Sequence, residues 1–166
     1  YEYMMLIQPS AKEVKQYSKK LPYTVIRCDD AAHVVNDHVT GITAYACYKA
    51  YDGAASAEAF AALPKGKEAR PCLPVSSIDA ETMVMERTSE DGTVVMSICT
   101  PDLGITQKAY TTPQPSQPLL RTVVIDGSWD IVTPAENVRI SRDGGKTSVT
   151  ATCLDGQPVE FHLKKI

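Results

Sequence analysis

Short runs of β-branched and aromatic residues, each ended within a few positions by Asp-Gly, Gly-Gly or Pro, constrain this chain more than any other feature of it. Val, Ile, Thr and Tyr favour extended backbone, whereas Gly and Asp tolerate the left-handed conformations that tight hairpin turns require. Thr82–Arg87 and Thr93–Cys99 flank Ser89-Glu90-Asp91-Gly92, and Val138–Ser141 and Thr147–Ala151 flank Asp143-Gly144-Gly145. Asp155-Gly156 then turns the chain into Val159–Leu163. This spacing predicts a mainly β fold, an antiparallel β-sandwich with one or two short helices.

The N-terminal part carries the same signature with one interruption. Tyr1 to Ile7 reads as a buried strand that stops at Pro9, and Ser10-Ala11-Lys12-Glu13 has the form of a capping box that opens a helix over about 10–20. Val14 and Tyr17, three apart, predict a narrow apolar stripe facing the body of the protein. Strands are expected at Tyr23–Cys28, Ala32–Val35 and Ile42–Tyr51, with Tyr45 and Tyr51 sharing one face and Tyr48 on the other. From Asp52 to Pro74 the composition shifts to Ala, Gly, Lys and Pro, which reads as a connection. The expected organisation is therefore two β units, 1–52 and 75–166, joined by 53–74. Thr112 to Pro118 reads as an extended Pro-rich loop.

Several function classes find no support. At a net charge of −3, with Lys and Arg scattered apart from Lys19-Lys20 and Lys164-Lys165, no basic stripe for nucleic acid is visible. No run approaches the roughly 20 apolar residues of a membrane-spanning helix. Gly144-Gly145 is a hairpin tip, not the strand-to-helix loop that cradles phosphate, and no G-x-S-x-G nucleophile motif occurs. Cys28, Cys47, Cys72, Cys99 and Cys153 contain no C-x-x-C pair, so most are expected to be buried small hydrophobes. His33, His38 and His162 are expected to be structural, no metal or cofactor is called for, and most Asp and Glu residues sit in turns.

Trp129, the single tryptophan, follows Gly127-Ser128, where a strand end can expose an indole to stack on a sugar ring. Arg121, near the same strands, has the fork geometry that matches sulfate or carboxylate. These two are the candidate carbohydrate-binding residues, and no catalytic residue is assigned.

The aromatic segment from Tyr1-Glu2-Tyr3 to Pro9, a short helix, Val25-Ile26, Asp30-Ala31-Ala32-His33-Val34-Val35 and Gly41-Ile42-Thr43-Ala44-Tyr45 follow one another in an order that resembles the end of the central domain of the family 8 polysaccharide lyases, the chondroitin, hyaluronan and xanthan lyases. Met96-Ser97-Ile98-Cys99-Thr100-Pro101-Asp102 is similar to a stretch of that family's C-terminal β domain. The Tyr-x-Tyr start and the stretch at Asp30–Val34 resemble the chondroitin sulfate ABC lyases in particular. The resemblance implies a secreted or periplasmic bacterial enzyme that cleaves uronic-acid polysaccharides by β-elimination. It places 1–52 at the end of a central β-sandwich and 75–166 in a C-terminal β-sandwich domain. It also implies that a helical toroid upstream holds the catalytic residues, so the chain's partners are catalytic domains of the same polypeptide and an acidic polysaccharide; the alternative reading is a free-standing carbohydrate-binding or adhesion module. On that footing the start at Tyr1, without initiator Met or leader, is expected to follow removal of something upstream, and His33 is not carried over as catalytic.

Overall fold

The computed structural model describes residues 4–65, 71–101, 116–132 and 135–166. Two antiparallel sheets face each other across one core. Helix α1 (Ala11–Tyr17) precedes strands β1 (Tyr23–Cys28), β2 (Ala32–Asp37), β3 (Ile42–Cys47) and β4 (Tyr51–Asp52). A 3-10 turn (Gly53–Ser56) and helix α2 (Ala57–Ala61) lead to β5 (Val75–Ile78), β6 (Thr82–Thr88) and β7 (Val94–Cys99). Then follow β8 (Leu119–Asp126), β9 (Trp129–Ile131), β10 (Val138–Asp143), β11 (Lys146–Cys153) and β12 (Val159–Lys165). The larger sheet runs β1-β2-β3-β6-β7-β12-β9 and the smaller β10-β11-β8-β5-β4.

The hairpin signals are realised where turn chemistry demands them. Asp143 pairs with Lys146, leaving a two-residue loop of Gly144 and Gly145, both at positive φ, 55° and 77°. That is the primed turn whose twist matches its strands. The Asp155-Gly156 turn is also left-handed, but it carries the chain from β11 in the smaller sheet to β12 in the larger one.

Alternation along each strand then builds the core. Val34, Tyr45, Val84, Met96 and Phe161 point inward from the larger sheet, and Tyr51, Ile78, Val123, Ile125 and Val149 from the smaller. Tyr45 and Tyr51 meet edge to face with centroids 5.6 Å apart. The Tyr45 hydroxyl accepts from the Val75 amide at 3.1 Å, pinning one sheet to the other.

Three local expectations change. Met4–Ile7 forms no strand and Met5 and Ile7 are exposed, while residues 1–3 lie outside the described residues. Helix α1 has its capping box, with Ser10 and Glu13 bonded reciprocally, but it buries no residue and Val14 faces solvent. The single strand expected at Ile42–Tyr51 breaks after Cys47. Tyr45 and Tyr51 do share the core, but by facing each other from opposite sheets.

Strands from both expected units meet in both sheets. β3 pairs β6 across 53–74, and β4 pairs β5. Within that stretch Phe60 packs on the core and stacks with Tyr45 at 6.4 Å. Of the Pro-rich loop, 112–115 lie outside the described residues. Of the five free cysteines, Cys47 and Cys153 are buried, Cys72 and Cys99 half-buried and Cys28 exposed.

Candidate functional site

Trp129 opens β9 at the edge of the larger sheet with 6% of its surface exposed. Its indole N–H donates to the Asp126 carbonyl at 2.9 Å and its backbone N–H to the Thr147 hydroxyl at 3.0 Å. That hydroxyl donates in turn to the Gly127 carbonyl at 2.7 Å, and the Arg142 Nε donates to the Trp129 carbonyl at 2.7 Å. The ring therefore closes one end of the sandwich and has no free face for a sugar.

Arg121 shares the inward side of β8 with Val123 and Ile125 and is 8% exposed. Its guanidinium donates to the Glu81 carbonyl at 2.8 Å and the Leu120 carbonyl at 2.9 Å, with the Thr100 hydroxyl at 3.5 Å. These donors satisfy the chain's own backbone. About 16 Å of β8 separate Arg121 from Asp126, the residue that holds the indole, so the two candidates do not converge. A turn-like sequence context locates Trp129 at a strand end but carries no information on which way the ring tips.

The histidines do not converge either. His33 is exposed, its ring edge-on to Tyr48 with Nδ1 3.3 Å from the tyrosine hydroxyl. His38 Nε2 lies 2.8 Å from the Thr24 hydroxyl. Four strand spacings, about 19 Å, separate the strand of His33 from that of His162. Among the described residues no three His, Cys, Asp or Glu side chains gather as metal ligands would.

Three other features stand out. The first is a groove of about 420 Å³ between the 3-10 turn and β5, bordered by Asp52, Phe60, Ser76, Asp126 and Lys146. The Ser76 hydroxyl donates to Asp126 at 2.8 Å, and Lys146 lies 3.7 Å from the same carboxylate. Two carboxylates against one ammonium repel rather than attract a polyanion.

The second is a polar row inside the larger sheet. Asn36, Thr43 and Glu86 are register neighbours on β2, β3 and β6, all buried, and the Asn36 amide donates to the Thr43 hydroxyl at 3.1 Å. Glu86 is 1% exposed, and among the described residues no donor closes a hydrogen bond to either carboxyl oxygen. Burial pushes its pKa up to about 7. The Thr43 hydroxyl and the Leu73 amide pull it back in part, from positions outside hydrogen-bond geometry. At 1% exposure, between Thr43 and the core, this carboxyl acts on the fold. Nothing in the sequence marked it, because β6 alternates Thr82-Val84-Glu86 with Met83-Met85-Arg87, and the methionine face looks the more buried.

The third is that methionine face, which points outward. Val35, Ala44, Met85 and Ser97 lie directly opposite one another across four strands, and His33, Ala46, Met83 and Cys99 form the next rank. Together they line a shallow depression of about 390 Å³ that holds no Asp, Glu, Lys or Arg side chain. Met83 and Met85 are 47% and 49% exposed. On the smaller sheet the outer positions are richer in hydroxyls, as in the Thr122–Thr150 pair, 3.1 Å apart.

The two-sheet antiparallel sandwich shares its fold with part of a chondroitin AC lyase. The chain is similar over 95% of its length to the chondroitin AC lyase of Streptomyces coelicolor, solved with chondroitin sulphate, at a TM-score of 0.63 and 16% identity, covering 17% of that chain. More particularly, it is 25% identical over 100% of its length to 14% of the chondroitin sulfate ABC endolyase of Proteus vulgaris. It is 24% identical over 99% of its length to 17% of the chondroitin sulfate ABC exolyase of Bacteroides thetaiotaomicron. The chain thus spans about a seventh of the first and a sixth of the second of these curated relatives, and the matches fit a C-terminal portion of a lyase. No family model matches the sequence.

Proposed function

We propose that this chain is the non-catalytic β-rich C-terminal region of a secreted or periplasmic glycosaminoglycan lyase. The parent enzyme would cleave uronic-acid polysaccharides by β-elimination, with the reacting groups carried by other domains of the same polypeptide. The observation that carries this reading is similarity along the whole chain to a small part of two chondroitin sulfate ABC lyases. The role proposed is to support the catalytic domain, since the Trp129 indole and the Arg121 guanidinium are engaged inside the sandwich.

The test is ultraviolet absorbance of the unsaturated uronate product. The isolated chain, mixed with chondroitin sulfate, dermatan sulfate or hyaluronan, is expected to give a flat trace. A steady rise that His33→Ala abolishes would overturn both the reading and the exclusion of His33.

A further inference from the structure

We propose that the outer face of the seven-stranded sheet, centred on Met83 and Met85, is the surface on which another domain of the same polypeptide docks. This rests on the reading of the chain as one region of a longer lyase. Alternation in β6 spends the inward positions on Thr82, Val84 and Glu86 and turns two methionines outward. A solvated strand normally shows the reverse pattern, with polar side chains in water. Among the described residues the two central ranks hold no Asp, Glu, Lys or Arg, and charged side chains begin beside them, at Glu81, Arg87 and Glu160. An apolar centre with a charged rim is the anatomy of a buried contact. Methionine suits it, because a flexible thioether fills an irregular partner surface.

The size of the face decides between occupants. Two ranks across four strands cover on the order of 300 Å² per side. A stable dimer needs about 800 Å² per partner, so a second copy would bind weakly. Domains of one polypeptide hold with interfaces that start at about 600 Å² in total, because tethering supplies the effective concentration. In the curated relatives this region is only 14% and 17% of the chain, so most of those polypeptides is available to supply the partner.

Peroxide footprinting of the methionines, read by mass spectrometry, tests the proposal with internal controls. The 166-residue chain is compared with the full polypeptide that its gene encodes. Met5, exposed, is expected to oxidise fast in the 166-residue chain, and Met96, fully buried, slowly in both. Met83 and Met85 are expected to oxidise at least tenfold more slowly in the full polypeptide. Equal rates in the two preparations would overturn the docking, as would protection of the isolated chain that grows with its own concentration, which would assign the face to a second copy. Eliminase activity is measured on the same full polypeptide. An active enzyme with unprotected methionines sinks the docking alone, whereas protected methionines in a polypeptide with no eliminase activity sink the lyase reading alone.

Discussion

Replacing Glu86 with Gln removes the one buried ionisable carboxyl that has no hydrogen-bond partner among the described residues while keeping its volume. In the folded chain its pKa is about 7, raised by burial from 4.5. Between these values the native state holds a proton that the unfolded chain has released. Wild-type stability from this group therefore falls as pH rises through that window and levels off above pH 7. A shift of this size corresponds to a penalty of about 3 kcal/mol at pH 8, at about 1.4 kcal/mol per pKa unit. Glu86→Gln should match the wild type near pH 4.5, where the carboxyl is neutral, and exceed it by up to about 3 kcal/mol at pH 8. For a domain this size that is a rise of roughly 6–12 °C in Tm. Urea unfolding followed by Trp129 fluorescence from pH 4.5 to 8.5 gives the difference directly. Carboxylates held low by their partners, such as Asp29 and Asp91, titrate alike in both proteins and cancel. A difference that stays constant across the range, or a variant less stable at pH 8, would refute the account of Glu86 as a buried acid kept neutral by the fold.

Three further outcomes are expected. Gly53→Ala would drive its Cβ into the Val75 carbonyl and to 2.8 Å from that of Ser76, both backbone, so it should cost about 1–3 kcal/mol in urea unfolding. Trp129 should emit at blue-shifted wavelengths, unchanged by sulfated chondroitin oligosaccharides, and Trp129→Ala should cost about 3–5 kcal/mol; a red-shifted emission that moves on titration would instead mean a sugar platform. Asp29 accepts from the Arg27 guanidinium and from the amides of Ala31 and Ala32, which hold its pKa at about 2, so the Tm deficit of Asp29→Asn should be present above pH 4 and vanish as pH falls through 2.

Local chemistry made much of the fold legible and long-range packing hid the rest. The bounds of β1 and the hairpin at Gly144-Gly145 follow from β-branched runs and turn residues alone. The Ser10 capping box is legible for the same reason, because its partners are three residues apart. Failures begin where a partner is distant in sequence. Spacing put Tyr45 and Tyr51 on one face of one strand, but Tyr51 leaves to pair with Ile78 in the other sheet. Helix α1 shows an apolar pair and yet buries none of its residues, with Val14 exposed. For Trp129 and Arg121 the residue types were informative and the direction of the side chains was not, since backbone carbonyls of Asp126 and Glu81 take the donors inward. Glu86 and the methionine face were invisible for the same reason, as alternation fixes which residues share a side of β6 but not which side is covered.

The proposal that this region supports, and does not perform, a lyase reaction is tested most directly by eliminase activity along the coding sequence. The full polypeptide should generate unsaturated uronate from a glycosaminoglycan, and residues 1–166 alone should generate none. Turnover by the isolated chain, or a full polypeptide inactive on every uronic-acid polysaccharide tried, would contradict it.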